Sequence, residues 1–236
     1  MCGRFTITRR DGNSLAAELG VGTDSFVDYK PRYNVAPTQD HFIVRIKFEN
    51  RELLPARWGL VNSWAKDASR AARSINARSE TADRLRAFRE AFLKRRCVVP
   101  TDGFFEWTGP KNERQPIWFH RADTGLLLMA GLYESWQISP GQWQRTFTIL
   151  TTTANSVTAR YHDRMPVILD DRHADDWMDP RAPKPLALKK LLVPAPDDLL
   201  AATPVSPKVN NVDNDSPDLL ETPKDYSPVA RQLNLL

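Results

Sequence analysis

Apolar and polar positions along this chain change period several times, and each change marks an element. Residues 3–8 read as a short strand, and Asn13 or Ser14 can cap a helix that Gly20 would end. Residues 31–38, Pro-Arg-Tyr-Asn-Val-Ala-Pro-Thr, predict an extended loop, because each proline biases its predecessor away from helix. Residues 41–48 alternate as a strand should, and residues 51–58 can pair with them across a Glu49-Asn50 turn. Ser79 or Thr81 opens a predicted helix running through Leu85, Phe88 and Phe92, apolar at helical spacing on a basic background. Further strands are expected at 97–99, 117–119, 126–132 and 143–150, the last two joined through Pro140-Gly141. A helix is expected at 171–179, with a short helix at 185–191 and a strand at 199–205.

Many short strands with a few intervening helices argue for an α+β fold, and 236 residues without internal repeats suit one domain. We place that domain at residues 2–211 and a loosely held tail at 212–236. Two cysteines, Cys2 and Cys97, cannot form a disulfide framework, and no amino-terminal apolar run resembles a signal peptide or spans a bilayer. The expectation is a soluble, cytoplasmic protein with no membrane partner.

Charge changes the picture through its distribution. The net charge is only +4, but residues 1–100 carry 19 Lys/Arg against 11 Asp/Glu, so the basic excess lies in the first hundred residues, beside Cys2. Most of those bases are arginine, the fork-shaped donor suited to phosphates; a solvated basic face is the plainer alternative.

The candidate chemistry begins at Met1-Cys2-Gly3-Arg4. Once the initiator methionine is removed, Cys2 presents an amine and a thiol on adjacent carbons. The amine condenses with an aldehyde to an imine, and the thiol closes on the imine carbon to give a thiazolidine. An unperturbed α-amine titrates at about 7.7–8.0, so a sizeable fraction is reactive near neutrality. Asn76 and Arg78 fall just before the predicted helix, where its positive end favours an anion. Glu106 is enclosed by Phe104, Phe105 and Trp107, and burial among rings would raise its carboxyl into the range useful for proton transfer; the exposed half of an alternating strand is the alternative. Thr151 and Thr152 offer hydroxyls for phosphate contacts or for capping. His162 supplies an imidazole able to donate or accept a proton, and Arg164 could hold a phosphate. Cys2, Cys97 and His162 show no short paired ligand spacing, and glycine phosphate loops are absent, so neither metal nor cofactor is expected.

Six blocks, Met1-Cys2-Gly3-Arg4-Phe5, Tyr33-Asn34-Val35-Ala36-Pro37-Thr38, Arg57-Trp58-Gly59-Leu60, Asn76-Ala77-Arg78-Ser79-Glu80, Gly103-Phe104-Phe105-Glu106-Trp107 and His162-Asp163-Arg164-Met165-Pro166, occur in the order in which they occur in the SOS response-associated peptidase family, also called SRAP domains. The chain resembles that family over roughly its first 170 residues. The resemblance implies a β-barrel-like core of mostly antiparallel strands with peripheral helices, and a protein that captures abasic sites in single-stranded DNA as a covalent crosslink. It implies Cys2 as the crosslinking residue, with Asn76, Glu106 and His162 completing the active site. A basic DNA groove would include Arg4, Arg78 and Arg164. Trp58 and Trp107 lie in matching motifs, and either ring could stack on a base or belong to the core; Trp58 is counted with Thr151 and Thr152 among the DNA contacts. Lyase activity and self-processing at Met1 belong to the same expectation, as does a monomer.

Two other readings use the same residues. Cys2 could be the nucleophile of a peptidase or amidohydrolase with His162 as base and Asn76 in an oxyanion hole, or the chain could bind single strands without covalent chemistry. The hydrolase does not explain the arginine-rich blocks, and the binding module does not explain a terminal cysteine.

Overall fold

The computed structural model describes residues 2–22, 29–110, 113–182 and 184–223. Its strands are β1 (Phe5–Ile7), β2 (Arg32–Val35), β3 (Asp40–Lys47), β4 (Asn50–Trp58), β5 (Asn76–Arg78), β6 (Arg96–Thr101), β7 (Gly103–Thr108), β8 (Gln115–Arg121), β9 (Leu127–Ser139), β10 (Gln142–Thr153), β11 (Arg164–Pro166), β12 (Ile168–Leu169) and β13 (Leu200–Pro204). The α-helices are α1 (Gly12–Leu19), α2 (Arg89–Lys94) and α3 (Asp171–Met178).

Strands β10, β4, β3, β6 and β9 follow one another in a sheet that the β9–β10 ladder closes into a five-stranded barrel, with β5, β11 and β12 attached. Most pairings are antiparallel, but β10 runs parallel to β4 and β5. A second sheet, antiparallel throughout, has the order β13-β8-β7-β1-β2. The α+β class and barrel-like core expected from the sequence are what the chain adopts.

β6 and the central parts of β9 and β10 are buried on both faces, which explains why their apolar runs are nearly continuous, whereas β3 and β4 keep exposed or half-buried positions along their length. In β6, Cys97 and Val99 join Phe5, Trp58, Phe104, Met129 and Phe147 between barrel and second sheet, while Val98 faces Phe92 of α2 and Trp177 of α3. Arg96, 3% exposed, ties this outer layer together by donating to the carbonyls of Phe92, Leu93, Trp177 and Asp179. A buried guanidinium is tolerable only with such complete pairing.

Several expectations need correction. Residues 32–35 form a strand rather than a loop, because β1 offers them an edge to pair with. Asp11, not Asn13 or Ser14, caps α1, accepting from the Ser14 N–H at 2.8 Å, while Gly20 ends it in the left-handed conformation as expected. The β3–β4 turn falls one residue early, at Phe48 and Glu49, whose φ values of 48° and 71° match the twist a two-residue hairpin requires.

The helix expected from Ser79 begins only at Arg89. Residues 78–88 instead make successive single turns, because the Arg164–Glu80 and Lys189–Asp83 ion pairs pin the segment to the barrel end. The tail boundary also moves: Asp215 pairs with Arg32 and accepts from the Tyr33 N–H, and Leu219 is fully buried. Residues 212–223 are therefore held on the second sheet, and 224–236 lie outside the described residues.

One buried carboxylate holds the amino-terminal strand in place. Asp102, 5% exposed, accepts from the Thr6 hydroxyl, the Thr8 N–H and, at 2.7 Å, the Thr8 hydroxyl. Replacing Asp102 with Ala strands these donors, and we expect a loss of about 3 kcal/mol in urea unfolding with an unchanged slope. A second test concerns His41, buried against Phe5 and Phe42, its Nε2–H donating to the Pro100 carbonyl at 3.0 Å. Burial pushes this imidazole down to about 3. The unfolded chain then takes up a proton that the folded chain refuses, so stability is full above about pH 6.5 and declines towards pH 3. The slope in that window is about 1.4 kcal/mol per pH unit, and a His41→Gln variant should lose this component.

Candidate active site and strand-binding surface

The site is built where the amino terminus enters the second sheet. β1 pairs with β7 through Phe5↔Phe104 and Thr6↔Gly103, and the Phe105 N–H donates to the Arg4 carbonyl at 2.9 Å. Continuing this register sets Glu106 opposite Gly3, next to Cys2, and strand alternation turns Glu106 to the same side as Phe104. The glycine of the Gly-Phe-Phe-Glu block is required by the approach of Trp118, whose Nε1 would lie 2.0 Å from a Cβ at position 103.

Cys2 is fully buried, packed with Phe5, Trp58 and Met165. Its Sγ lies 3.9 Å from the Arg4 carbonyl, and its own carbonyl accepts from Asn76 Nδ2 at 2.7 Å. Asn76 reaches it from β5, which β10 holds in parallel register at Ile149↔Asn76. Glu106 is 4% exposed, so the strand buries it, and the exposed-edge alternative fails. Burial pushes the Cys2 thiol far above its ordinary range, and the neighbouring Glu106 charge pushes the same way.

His162 follows a 3-10 turn (Thr158–Arg160) and is about one-third exposed. Its Nδ1 accepts from the Arg164 N–H at 2.9 Å and lies 2.8 Å from Asp163 Oδ1. A single ring nitrogen cannot serve both. Accepting from the Arg164 N–H uses the Nδ1 lone pair and places the ring proton on Nε2, whereas an N–H on Nδ1 would face Asp163 instead. Asn155 supports this turn: its Oδ1 accepts from the Thr158 N–H and hydroxyl, and its Nδ2 donates to the Ala195 carbonyl.

The expected DNA contacts fare unevenly. Arg78 is exposed and follows Asn76 on β5. Arg4 donates to Asn34 Oδ1 at 2.7 Å and to the Val209 carbonyl at 2.9 Å, beside the Trp107 ring, so its guanidinium is engaged with protein. Arg164 forms a two-pronged pair with Glu80 at 2.6 and 2.9 Å and donates to the Thr151 carbonyl at 2.6 Å. Thr151 and Thr152 are 0% and 5% exposed, because paired strands enclose both, so their hydroxyls do not line a surface.

Trp58 is a core residue, not a base platform. It is fully buried, stacks with Phe147, and donates from Nε1 to the Ile75 carbonyl at 2.9 Å. No anion site at a helix start follows Asn76 and Arg78 either, since they lie in a strand and turns come after them.

Phe48, Trp64 and Trp143 are exposed aromatics, and the one set among exposed arginines is Trp64, which the motif reading passed over. It is 56% exposed, Arg86 lies 4.7 Å over its ring, and a groove of about 440 Å³ beside it is bordered by Asn62, Lys66 and Arg70. Arg73, Arg78 and Arg84 are exposed as well. A tryptophan inside the polar run Asn62-Ser63-Trp64-Ala65-Lys66 was the available signal. Among the described residues, no group of His, Cys, Asp and Glu is placed to hold a metal, and no helix is long and apolar enough to cross a membrane.

Comparison with known proteins places this geometry. The profile of the family described as SOS response associated peptidase (SRAP) matches residues 1–212. Abasic site processing protein YoqW of Bacillus subtilis is 37% identical over 227 residues, covering 94% of this chain and all of that protein. Abasic site processing protein HMCES of Mus musculus is 32% identical, covering 81% of this chain and 65% of its own length. A solved structure from Bacteroides thetaiotaomicron superposes with a TM-score of 0.83 at 24% identity, covering 94% of this chain and all of that one, and shares its fold.

The burial of both cysteines yields a direct test. With the Cys2 and Cys97 thiols both raised by burial, neither is thiolate at pH 8 in the folded chain. Iodoacetamide should label neither over the time in which it labels both in denaturant, as read by peptide mass spectrometry; rapid labelling of folded Cys2 would contradict its burial.

Proposed function

The chain belongs to the SOS response associated peptidase family, and from that premise we propose that it recognises abasic sites in single-stranded DNA and crosslinks to them through Cys2 after loss of Met1. The observation that carries this reading is the 2.7 Å bond from Asn76 to the Cys2 carbonyl, made beside the buried Glu106. It holds the first residue of the processed chain by its backbone, leaving the α-amine and the thiol as the groups free to react.

The chemistry follows from those positions. An abasic deoxyribose opens when a base takes the proton of its anomeric hydroxyl and an acid protonates the ring oxygen; His162, with one nitrogen able to give and one to take, suits this step. The Cys2 amine adds to the aldehyde carbon, and its two protons pass in turn through Glu106 to the former carbonyl oxygen, first making the hydroxyl of the carbinolamine and then the water that leaves, so that a neutral imine remains. The thiol then adds to the imine carbon, its proton moves to nitrogen, and the thiazolidine closes. A high thiol pKa suits this order, with the amine attacking first and the sulfur arriving protonated.

Loss of the C2′ proton from the imine, instead of sulfur addition, would cleave the strand on the 3′ side, which is the lyase branch of the same chemistry. Hydrolysis by a Cys2 thiolate, including self-processing at Met1, demands the ionised sulfur that burial and Glu106 both oppose.

Single strands suit the site because an unpaired abasic nucleotide avoids the unstacking penalty of extrusion from a duplex. Trp64 and the exposed arginines around it offer stacking and phosphate contact to such a strand. No base need be read, so selectivity lies in the aldehyde and the backbone. We place the protein in the cytoplasm, on the DNA it protects, acting as a monomer.

Intact mass measurement of the chain mixed with an oligonucleotide bearing one abasic site tests the reading. Expected is a species equal to the chain without Met1 plus the oligonucleotide minus one water, stable to high salt and denaturant. Cys2→Ala should give no such species while retaining salt-sensitive binding, and Asn76→Ala should slow its formation by roughly 10–100-fold through misplacement of the terminus. An unmodified oligonucleotide with processed wild-type chain would end the proposal.

A further inference from the structure

Arg164 presents an unresolved demand. Its side chain is 10% exposed, two of its nitrogens face the Glu80 carboxylate, and its Nε–H has no acceptor among the described residues. Glu80 is different: its side chain is 45% exposed, so it stands on the solvent side of the pair. The cations around it come from several elements. Arg78 precedes it on β5, Arg164 lies on β11, and Lys189 donates to the Glu80 carbonyl at 3.2 Å while pairing with Asp83. A carboxylate at the rim of a buried guanidinium, between further cations, occupies the place an anionic ligand would take.

We propose that Glu80 is an internal stand-in for a backbone phosphate, holding Arg164 until a strand arrives and exchanging with one phosphodiester of that strand. This rests on the strand-binding reading above and adds a specificity-determining residue to it. The fork geometry supports the exchange. Carboxylate and phosphate both accept two parallel N–H bonds from a guanidinium, and a phosphodiester brings further ester oxygens within reach of donors the carboxylate leaves unserved. The displaced carboxylate stays beside Arg78, whose charge already acts on it. Without Glu80, Arg164 would be an unpaired charge in a protein interior, which is costly, and would attract any polyanion. With it, a strand must offer more than one phosphate: it must complete the rest of the surface before the exchange is favourable.

Ion counting tests this without any covalent step. In the wild-type chain, a phosphate that takes Arg164 releases a carboxylate in its place, so that contact contributes little net cation release. Glu80→Gln removes the competitor while keeping the side-chain shape. Binding of a fluorescent, undamaged oligothymidylate, followed by anisotropy from about 50 to 200 mM NaCl, should be several-fold tighter for Glu80→Gln at the low end, with a log K against log[salt] slope steeper by about one. Glu80→Asp retains the charge and should keep the wild-type slope. Weaker binding by Glu80→Gln, or an unchanged slope, would make Glu80 a structural partner of Arg164 and overturn the exchange.

Should Glu80→Gln fail to fold, the wild-type chain decides. The ¹³C carboxyl resonance of Glu80 should titrate at higher pH when the oligothymidylate saturates the protein, because the Arg164 partner has been lost; an unmoved midpoint overturns the proposal. Failure here is separable from failure of the crosslinking reading. Undamaged DNA reports only the phosphate exchange, and an abasic oligonucleotide reports only the covalent bond.

Discussion

The structure depends on a three-residue strand. β1 is held between β2 and β7 by short ladders and locked by the Asp102 carboxylate, and Cys2 lies three residues before it. Chain ends ordinarily fray, because few contacts repay the entropy of ordering them. Here the terminus is instead the middle strand of a small antiparallel triplet, with Phe5 fully buried between barrel and sheet. The consequence is a terminal residue held as rigidly as a core residue, a condition for placing an amine and a thiol against one carbon atom.

Polar groups around that terminus divide by burial. Glu106 is delivered by β7 and Asn76 by β5; Glu106 is buried and Asn76 half-buried. In that setting a charge acts strongly on its neighbours, as the upward push of Glu106 on the Cys2 thiol illustrates. The proposed strand-binding surface would work under the opposite condition. Trp64, Arg78, Arg84 and Arg86 are exposed, so each would contribute modestly, screened by salt, and the surface would act through their number. Glu80 stands at the boundary between these regimes, with a buried cation behind it and exposed ones around it.

The carboxyl-terminal segment takes part in the same arrangement. Asn34 donates to the carbonyls of Val209, Asn211 and Asn214 while accepting from Arg4. Arg4 is thus a bolt between the first strand and residues 207–214, with Trp107 stacked beside it and bonded to Asn210. An arginine two residues from Cys2 ties the start of the chain to the carboxyl-terminal segment, which leaves its guanidinium engaged with protein.

Local sequence by itself determined the elements whose signal is short-ranged. The hairpin over residues 40–58, the long pair joined at Pro140-Gly141, the helix at 171–178 and the glycine that ends α1 follow from alternation, turn chemistry and capping, which involve near neighbours only. The sequence marked Cys2, Asn76, Glu106 and His162 as candidates through a resemblance spread over six blocks, and the fold brings Asn76 and Glu106 to Cys2. Tertiary structure alone decided which like residues face water. Trp58 and Trp64 stand six positions apart, yet one fills the core and the other lies open: the polar run around Trp64 hinted at exposure, but only the register that sets Trp58 beside Phe147 of β10 buries Trp58. Arg4, Arg78 and Arg164 are equivalent cations in the sequence, and distant partners make them a bolt, a free charge and a masked one. Residues 78–88 carry a helical pattern but are drawn into turns by ion pairs to residues more than eighty positions away, and no window of local periodicity contains such a partner.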